Sequence, residues 1–324
     1  MTTKVFSNPR TSIEDAYERI QSFIRRTPVE HSNLLSEKTG AHVHLKLENT
    51  QITGSFKVRG ALNKVLISGS KDAGIVAAST GNHGAGVAYA SRQIDCPATI
   101  FVPTVIAEEK LSRIYAYGAH VIRSGEDCVE SEAAAREHAE TTGALFISPY
   151  NDSHVIAGQG TLGYELVEQI PDCDVVYVAL GGGGLISGIG HYLKSIRPHT
   201  EIVACSPINS CVMHQSLEAG KLLDLPSLPT LSDSTAGGVE EGSITFELCQ
   251  AVVDRSLTVS EEEITQSMVT VLGAHSTLIE GAAAAAVAGC TKDADNLRGK
   301  SACVVLCGAN IPVNRLSAVL NDLT

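Results

Sequence analysis

Lys57 directly follows Phe56 at the end of the polar, glycine-bearing run in ENTQITGSFKVRGA, and a good helix former comes after it. The lysine therefore sits at a loop-to-helix junction, not on a solvated helix face. A lysine that is desolvated and held in place becomes a nucleophile toward carbonyl carbon. Three other stretches carry groups that suit such a lysine. In VVYVALGGGGLISG a buried strand ends in Gly181, Gly182, Gly183 and Gly184, and a helix begins near Leu185. Consecutive glycines let backbone N–H groups crowd around an anion, and the helix N-terminus adds partial positive charge, so this stretch reads as a phosphate cradle. No Lys-Ser/Thr pair follows it, which excludes the P-loop pattern. The next strand, EIVACSP, ends in Ser206 without an acidic residue, which makes a nicotinamide site the weaker reading. In ASTGNHGAG, Ser79, Thr80, Asn82 and His83 add side-chain donors to a glycine turn before a helix, an arrangement suited to a carboxylate. His83 taken alone is more often structural than catalytic. Last, VVLCGANIP places Cys307 at the carboxyl end of a buried strand, where open parallel sheets bind their ligands. A phosphate loop, a carboxylate loop, a thiol and Lys57 facing one crevice would hold an aldehyde cofactor that also carries a phosphate.

The elements that must bring these groups together alternate along the chain. Thr11 and Glu14 form a T-x-x-E capping pattern ahead of Ile13, Ala16, Tyr17, Ile20 and Ile24 at helical spacing, and Pro28 follows that helix. HVHLKLE alternates Val43, Leu45 and Leu47 with His44, Lys46 and Glu48, the pattern of a half-buried strand whose polar residues share one face. From Gly74 onward GIVAAS, ATIFVP, HVIRSG and LFISP read as short apolar strands separated by helical stretches. DVVYVAL, EIVACS and ACVVLC continue the series. Buried strands alternating with helices define an α/β fold with parallel sheets covered on both faces. GAAAAAVAG, residues 281–289, is too short to span a bilayer and reads as a tightly packed helix of small residues.

Composition narrows the classes further. With 24 Lys and Arg against 36 Asp and Glu in 324 residues, the net charge of −12 argues against nucleic-acid binding. The first residues lack an apolar core flanked by positive charge, so no secretory leader is expected there. No apolar run reaches the ~18 residues of a membrane span. The 9 cysteines are scattered, odd in number and without metal-ligand spacing. They read as reduced thiols of a cytoplasmic protein, all core fillers except Cys307.

SFKVRGA, STGNHG, GQGT (residues 158–161), GGGGL and CGAN occur in this order over nearly the whole chain. Together they resemble the pyridoxal-phosphate-dependent threonine/serine dehydratase and serine racemase family, fold type II. The resemblance implies a two-lobed enzyme of the tryptophan synthase β type. A large lobe of residues 1–70 and 151–324 would carry a small lobe of residues 71–150. It implies pyridoxal 5'-phosphate as cofactor, an amino acid as substrate and a homodimer. Lys57 resembles the Schiff-base lysine, which also takes and returns the α-proton. Phe56 would lie against the pyridine ring and Asn82 would bond the ring hydroxyl. Gly181, Gly182, Gly183 and Gly184 with the Leu185 amide would hold the phosphate. Ser79, Thr80, Asn82 and His83 would receive the substrate carboxylate, Gly238 would line the substrate end, and Cys307 falls opposite the pyridine nitrogen, where the family usually has serine.

The departures from the family pattern refine the expectation. Thr80 stands where serine racemases carry a serine that acts on the far face of the substrate, which disfavours racemisation. Ser206 and Val212 stand where metal-dependent members have carboxylates, so no metal is expected and activity should survive a chelator. The chain stops at Thr324, which predicts no C-terminal regulatory domain. TAGGVEEGSITFELC is similar to dehydratases of the hydroxyectoine-utilisation branch. The reaction expected is α,β-elimination from a 3-hydroxy-L-amino acid to a 2-oxo acid and ammonia. Candidate substrates are serine, threonine, 3-hydroxyaspartate, phenylserine and hydroxydiaminobutyrate. Racemisation and β-replacement are the enzymatic alternatives, and a cofactor-binding protein without turnover is the non-enzymatic one.

Overall fold

The computed structural model describes residues 6, 8–69, 72–106 and 108–321. It contains two sheets. The larger has six strands in the order β1-β2-β10-β7-β8-β9. These are β1 (Val29–His31), β2 (His42–Lys46), β7 (Val175–Ala179), β8 (Glu201–Pro207), β9 (Arg255–Val259) and β10 (Ser301–Val305). Only β1 pairs antiparallel; every other pairing in this sheet is parallel. The smaller sheet has the order β5-β4-β3-β6, entirely parallel, from β3 (Ile75–Ala78), β4 (Ala98–Val102), β5 (His120–Arg123) and β6 (Leu145–Phe146). The strands expected from the sequence are all present. The central strands are apolar because helices cover both faces: every residue of β7 is buried.

Small residues set how closely the helices approach one another. A Cβ on Gly158 of helix Ser153–Gln169 would lie 2.6 Å from the carbonyl oxygen of Arg59 and from Cα of Gly60 in helix Lys57–Ser68. A Cβ on Gly188 of helix Gly184–Ile196 would lie 2.5 Å from the backbone nitrogen of Gly160. The GQG segment thus joins the helix that begins at Lys57 to the helix that begins at the glycine loop. Backbone contact of this kind admits no side chain, so the two ends are held in fixed relation. The helix Gly281–Lys292 is buried at every position from Gly281 to Cys290, as its run of alanines requires.

Three local expectations are corrected. The first helix runs Pro9–Ile20 and is capped by Asn8, whose Oδ1 accepts the Thr11 N–H at 3.4 Å, so Thr11 is not the cap. Asn is a strong N-cap and Pro9 fills the first helical position without losing a needed donor, which moves the start upstream. The polar face assigned to HVHLKLE holds only at its start. His42 is exposed and His44 half-buried, but Lys46 and Glu48 are fully buried. Lys46 Nζ pairs with Glu165 at 2.5 Å and donates to Gln169 and to the Thr27 carbonyl. Arg59 pairs with both Glu48 and Glu165 at 2.8 Å. Burial pushes the Glu48 carboxyl up, but Arg59 beside it outweighs that and holds it below its ordinary value. Two cations and two carboxylates neutralise one another inside the core, two residues along the helix from Lys57. The cysteines form no disulfide and are buried except Cys128, which is exposed at the first residue of helix Cys128–Thr142 and is no core filler.

Candidate active site

A cavity of about 190 Å³ opens between the two sheets' carboxyl-end loops. Phe56, Lys57, Asn82 and Cys307 line it. Gly181, Gly182, Gly183, Gly184, Leu185 and Gly238 line it as well. Parallel strands aim their carboxyl ends one way, so β7 delivers the glycine loop and β10 delivers Cys307 to the same side of the large sheet. Phe56 is tied in directly: its N–H donates to the Cys307 carbonyl at 3.0 Å, and Ser55 bridges Gly308.

Lys57 is the first residue of its helix, with Phe56 as N-cap. Its Nζ donates to the Pro149 carbonyl at 2.9 Å and lies 5.3 Å from the centre of the Phe56 ring. Burial lowers its pKa to about 8, against small opposing effects of Cys307 and Glu280. About a tenth of the amine is therefore neutral and nucleophilic at pH 7, far more than at the ordinary lysine value. The Cys307 thiol is pushed well above its ordinary value by burial, with Glu280 adding to the effect, so it stays neutral.

The glycine loop has no room for side chains. A Cβ on Gly181 would meet Thr235 at 2.8 Å, and one on Gly182 would meet the Tyr150 ring at 2.6 Å. Gly183 has φ +86 and would meet Cys249 Sγ at 2.7 Å. Only glycine fits, and the loop shows bare backbone to the cavity. Helix Gly184–Ile196 starts there without a side-chain cap, which leaves its first N–H groups for an anion. The uncapped cradle and the buried amine fit a phosphate-bearing aldehyde.

Asn82 begins helix Asn82–Arg92, and its Nδ2 donates to both oxygens of Glu280 at 2.9 and 3.0 Å. The two oxygens of one carboxylate lie too close together for each to take its own N–H of one amide. One N–H is shared between them and the second is not used by Glu280. Asn310 Nδ2 donates to Asn82 Oδ1 at 2.5 Å, so the amide orientation is fixed from both ends. Glu280 is itself buried and also accepts from Ser234 Oγ at 2.7 Å and from the Asn310 N–H at 3.0 Å. Burial raises its pKa against those three donors.

The remaining assigned residues are placed differently. Ser79, Thr80 and His83 are not part of the cavity lining, although they flank Asn82, which is. Ser79 Oγ accepts the Gly81 N–H at 3.2 Å and Thr80 is half-buried. His83 is buried with Nε2 donating to the Ile147 carbonyl at 2.8 Å, while Nδ1 has no partner. Burial, with the Lys57 charge adding, lowers its pKa to about 3. The His83 ring is a neutral structural group, so any carboxylate contact at this residue falls to its backbone. The sequence reading missed Glu280, Tyr150, Ser234 and Thr235. Tyr150 had a signal, since it follows the carboxyl end of a parallel strand; Glu280 precedes an alanine-rich helix and had none.

A buried lysine beside an uncapped glycine loop, at the carboxyl ends of parallel strands, defines a cofactor-dependent enzyme that binds a phosphorylated aldehyde. The sequence matches the family described as pyridoxal-phosphate dependent enzyme over residues 20–308, and the chain belongs to it. It is 40% identical over 311 residues to an L-threonine ammonia-lyase of Thermotoga maritima, covering 95% of this chain and 77% of the relative. A catabolic L-threonine dehydratase of Staphylococcus aureus is 38% identical over 314 residues, covering 95% and 90%. Among solved structures, maize serine racemase superposes with a TM-score of 0.90 at 30% identity, covering 97% of both chains. The processed threonine deaminase isoform 2 of Solanum lycopersicum gives 0.90 at 30%, covering 97% and 92%. The fold is that of the fold type II enzymes, the cofactor is pyridoxal phosphate, and the enzyme is a lyase of the deaminating dehydratase type. No helix among the described residues is long and apolar enough to cross a membrane.

Proposed function

We propose that this enzyme eliminates water from L-threonine and L-serine, yielding a 2-oxo acid and ammonia. The observation that carries the reading is the shared cavity of Lys57 and the uncapped glycine loop. Similarity to proteins named for threonine supports the substrate. When bound, the cofactor supplies an electron sink for the α-carbon. The chain supplies the rest. Gly181, Gly182, Gly183, Gly184 and the Leu185 amide bind the phosphate through backbone N–H groups. Phe56 would lie against the ring, Cys307 opposite its nitrogen, and the free N–H of Asn82 would meet its hydroxyl. Ser79, Thr80 and the N-terminal amides of helix Asn82–Arg92 receive the substrate carboxylate. Lys57 Nζ takes the α-proton and, once protonated, is the acid within reach of the departing β-hydroxyl.

Racemisation is the second reading, because a serine racemase shares the fold as closely as a threonine deaminase does. Thr80 weighs against it: by resemblance this branched residue stands where racemases carry the serine that acts on the far face. We assign residues 71–150 to the small lobe, and a homodimer to the enzyme in solution, in the cytoplasm. The deciding experiment incubates the purified enzyme with serine, threonine, 3-hydroxyaspartate, phenylserine and hydroxydiaminobutyrate, and reads oxo acid and D-amino acid. Oxo acid from threonine and serine is expected. Preference for another member of the panel would reassign the substrate, and D-amino acid as main product would overturn the reading.

A further inference from the structure

Residues 220–243 join helix Val212–Ala219 to helix Ile244–Val252 without a helix or strand of their own. Ser234, Thr235, Ala236 and Gly238 from this stretch form part of the cavity wall. Side-chain packing does not hold Gly238 there: a Cβ built on it meets nothing within 4 Å. Its position is set by hydrogen bonds on either side. On one side the Gly237 N–H donates to Ser210 Oγ at 3.0 Å and to Ser227 Oγ at 3.2 Å. On the other, Glu240 is gripped from the far wall at three points. Its N–H donates to the Tyr150 hydroxyl at 3.0 Å. Its Oε2 accepts from Arg136 Nη2 at 2.8 Å, and its Oε1 accepts from Asn151 Nδ2. Asn151 Oδ1 also accepts the Ile244 N–H at 3.0 Å.

The far wall is itself rigid. The Tyr150 ring is packed against Gly182 of the cofactor loop, and its Cα and Cβ against Gly184. Arg136 is braced by Glu132 and lies 4.4 Å over the Phe146 ring. Gly237, with φ +118, and Gly242, with φ +72, bracket the gripped segment, and both have open space where a side chain would be. Backbone freedom at both ends makes the segment between them movable as a unit once its grip is lost.

We propose that Glu240 and Tyr150 form a latch that fixes the Gly238 wall and thereby determines which 3-hydroxy amino acid side chains the enzyme accepts. The inference rests on the cavity being the substrate site. Tyr150 links the two tasks, since one face of its ring supports the phosphate loop while its hydroxyl holds the wall. Loss of the Glu240 carboxylate removes a charge-assisted pair and a second hydrogen bond, enough to shift the open population by about tenfold or more. A loosened wall accommodates bulkier side chains, so discrimination against phenylserine falls.

The test compares holoenzyme of the parent, Glu240→Ala, Tyr150→Phe and the neighbouring control Glu241→Ala. Amide hydrogen exchange is read over residues 235–244, and kcat and KM are measured for L-threonine and phenylserine. Glu240→Ala is expected to speed exchange in that segment about tenfold, with no change in helix Gly184–Ile196. The phenylserine-to-threonine ratio of kcat/KM should rise at least threefold, mainly through KM. Tyr150→Phe should give smaller effects in the same direction, and the control should match the parent. Exchange no faster than in the control overturns the latch. Faster exchange with an unchanged ratio overturns its role in specificity. If no substrate yields oxo acid, the function reading fails, while the exchange data still decide the latch.

Discussion

Asn82 and Glu280, 198 residues apart in the chain, are joined through one amide nitrogen and both carboxylate oxygens, at 2.9 and 3.0 Å. The pair holds the Asn82 amide at the cavity wall, and Glu280 is expected to act on the cofactor through it. Glu280→Gln keeps the shape but sets an amide NH2 against two donors, whichever oxygen it replaces. It should lower turnover of threonine about tenfold and shift the absorption maximum of the bound cofactor. Glu280→Ala leaves those buried donors without an acceptor and should destabilise the fold by roughly 1–3 kcal/mol, read as a lower melting temperature. Parent-like absorption and turnover in Glu280→Gln would show that the pair does not orient Asn82.

Lys57 is the amine on which the cofactor should be found. Borohydride treatment followed by peptide mapping should place the adduct there and on no other lysine, and Lys57→Ala should abolish elimination. The lowered pKa also sets a pH dependence. With the folded value about 8 and the ordinary value 10.5, the unfolded chain binds more protons between these limits. Stability of the cofactor-free protein from this group therefore rises as pH increases through that window. Reattachment of cofactor needs the neutral amine, so its rate should climb with pH, pass half its maximum near 8 and level off above about 9. Stopped-flow absorbance from pH 6.5 to 9.5 checks it; a rate still climbing about tenfold per pH unit at the upper end would mean that Lys57 is not desolvated.

The strands and the glycine loop were legible because each is written locally, as an apolar run ending in a turn. The buried network was not. Lys46 and Glu48 fit an alternating strand with a polar face, and only the approach of Arg59 and Glu165 turns that face inward. Those partners lie up to 119 residues away, beyond any periodicity. His83 shows the opposite limit. Its motif gives its neighbourhood correctly, but the orientation of its ring depends on the Ile147 carbonyl at the end of another strand. GQGT was legible as a motif, while its physical reason, backbone contact between three helices, is visible only once Gly60, Gly158, Gly160 and Gly188 are seen together.

Thr80 is expected to bias the balance between elimination and inversion. Its Cγ methyl occupies space that a serine would leave open, and its hydroxyl is correspondingly less free to rotate. The parent enzyme should form oxo acid much faster than D-amino acid. Thr80→Ser should raise the ratio of inversion to elimination several-fold, measured by chiral chromatography beside an oxo-acid assay. An unchanged ratio would remove Thr80 from the control of reaction outcome.

Cys307 sets the character of the ring's environment. Its thiol is buried, lines the cavity and is held neutral by burial and by the nearby Glu280. A neutral, weakly hydrogen-bonding partner at the ring nitrogen does not hold a proton there. Cys307→Ser retains a small neutral group and should change turnover by no more than about threefold. Cys307→Asp puts a carboxylate beside Glu280, and the two acids cannot both stay ionised in a dry site without a shared proton or a cation. A protonated ring nitrogen would supply that cation. The expected result is a shifted cofactor absorption spectrum, elimination slowed by about tenfold or more, and more side product per turnover. The thiol should also be shielded from alkylating reagents by bound cofactor and exposed without it, which mass spectrometry of the labelled protein reads. Full and equal activity of the serine and aspartate variants, with labelling indifferent to cofactor, would place the Cys307 sulfur away from the ring.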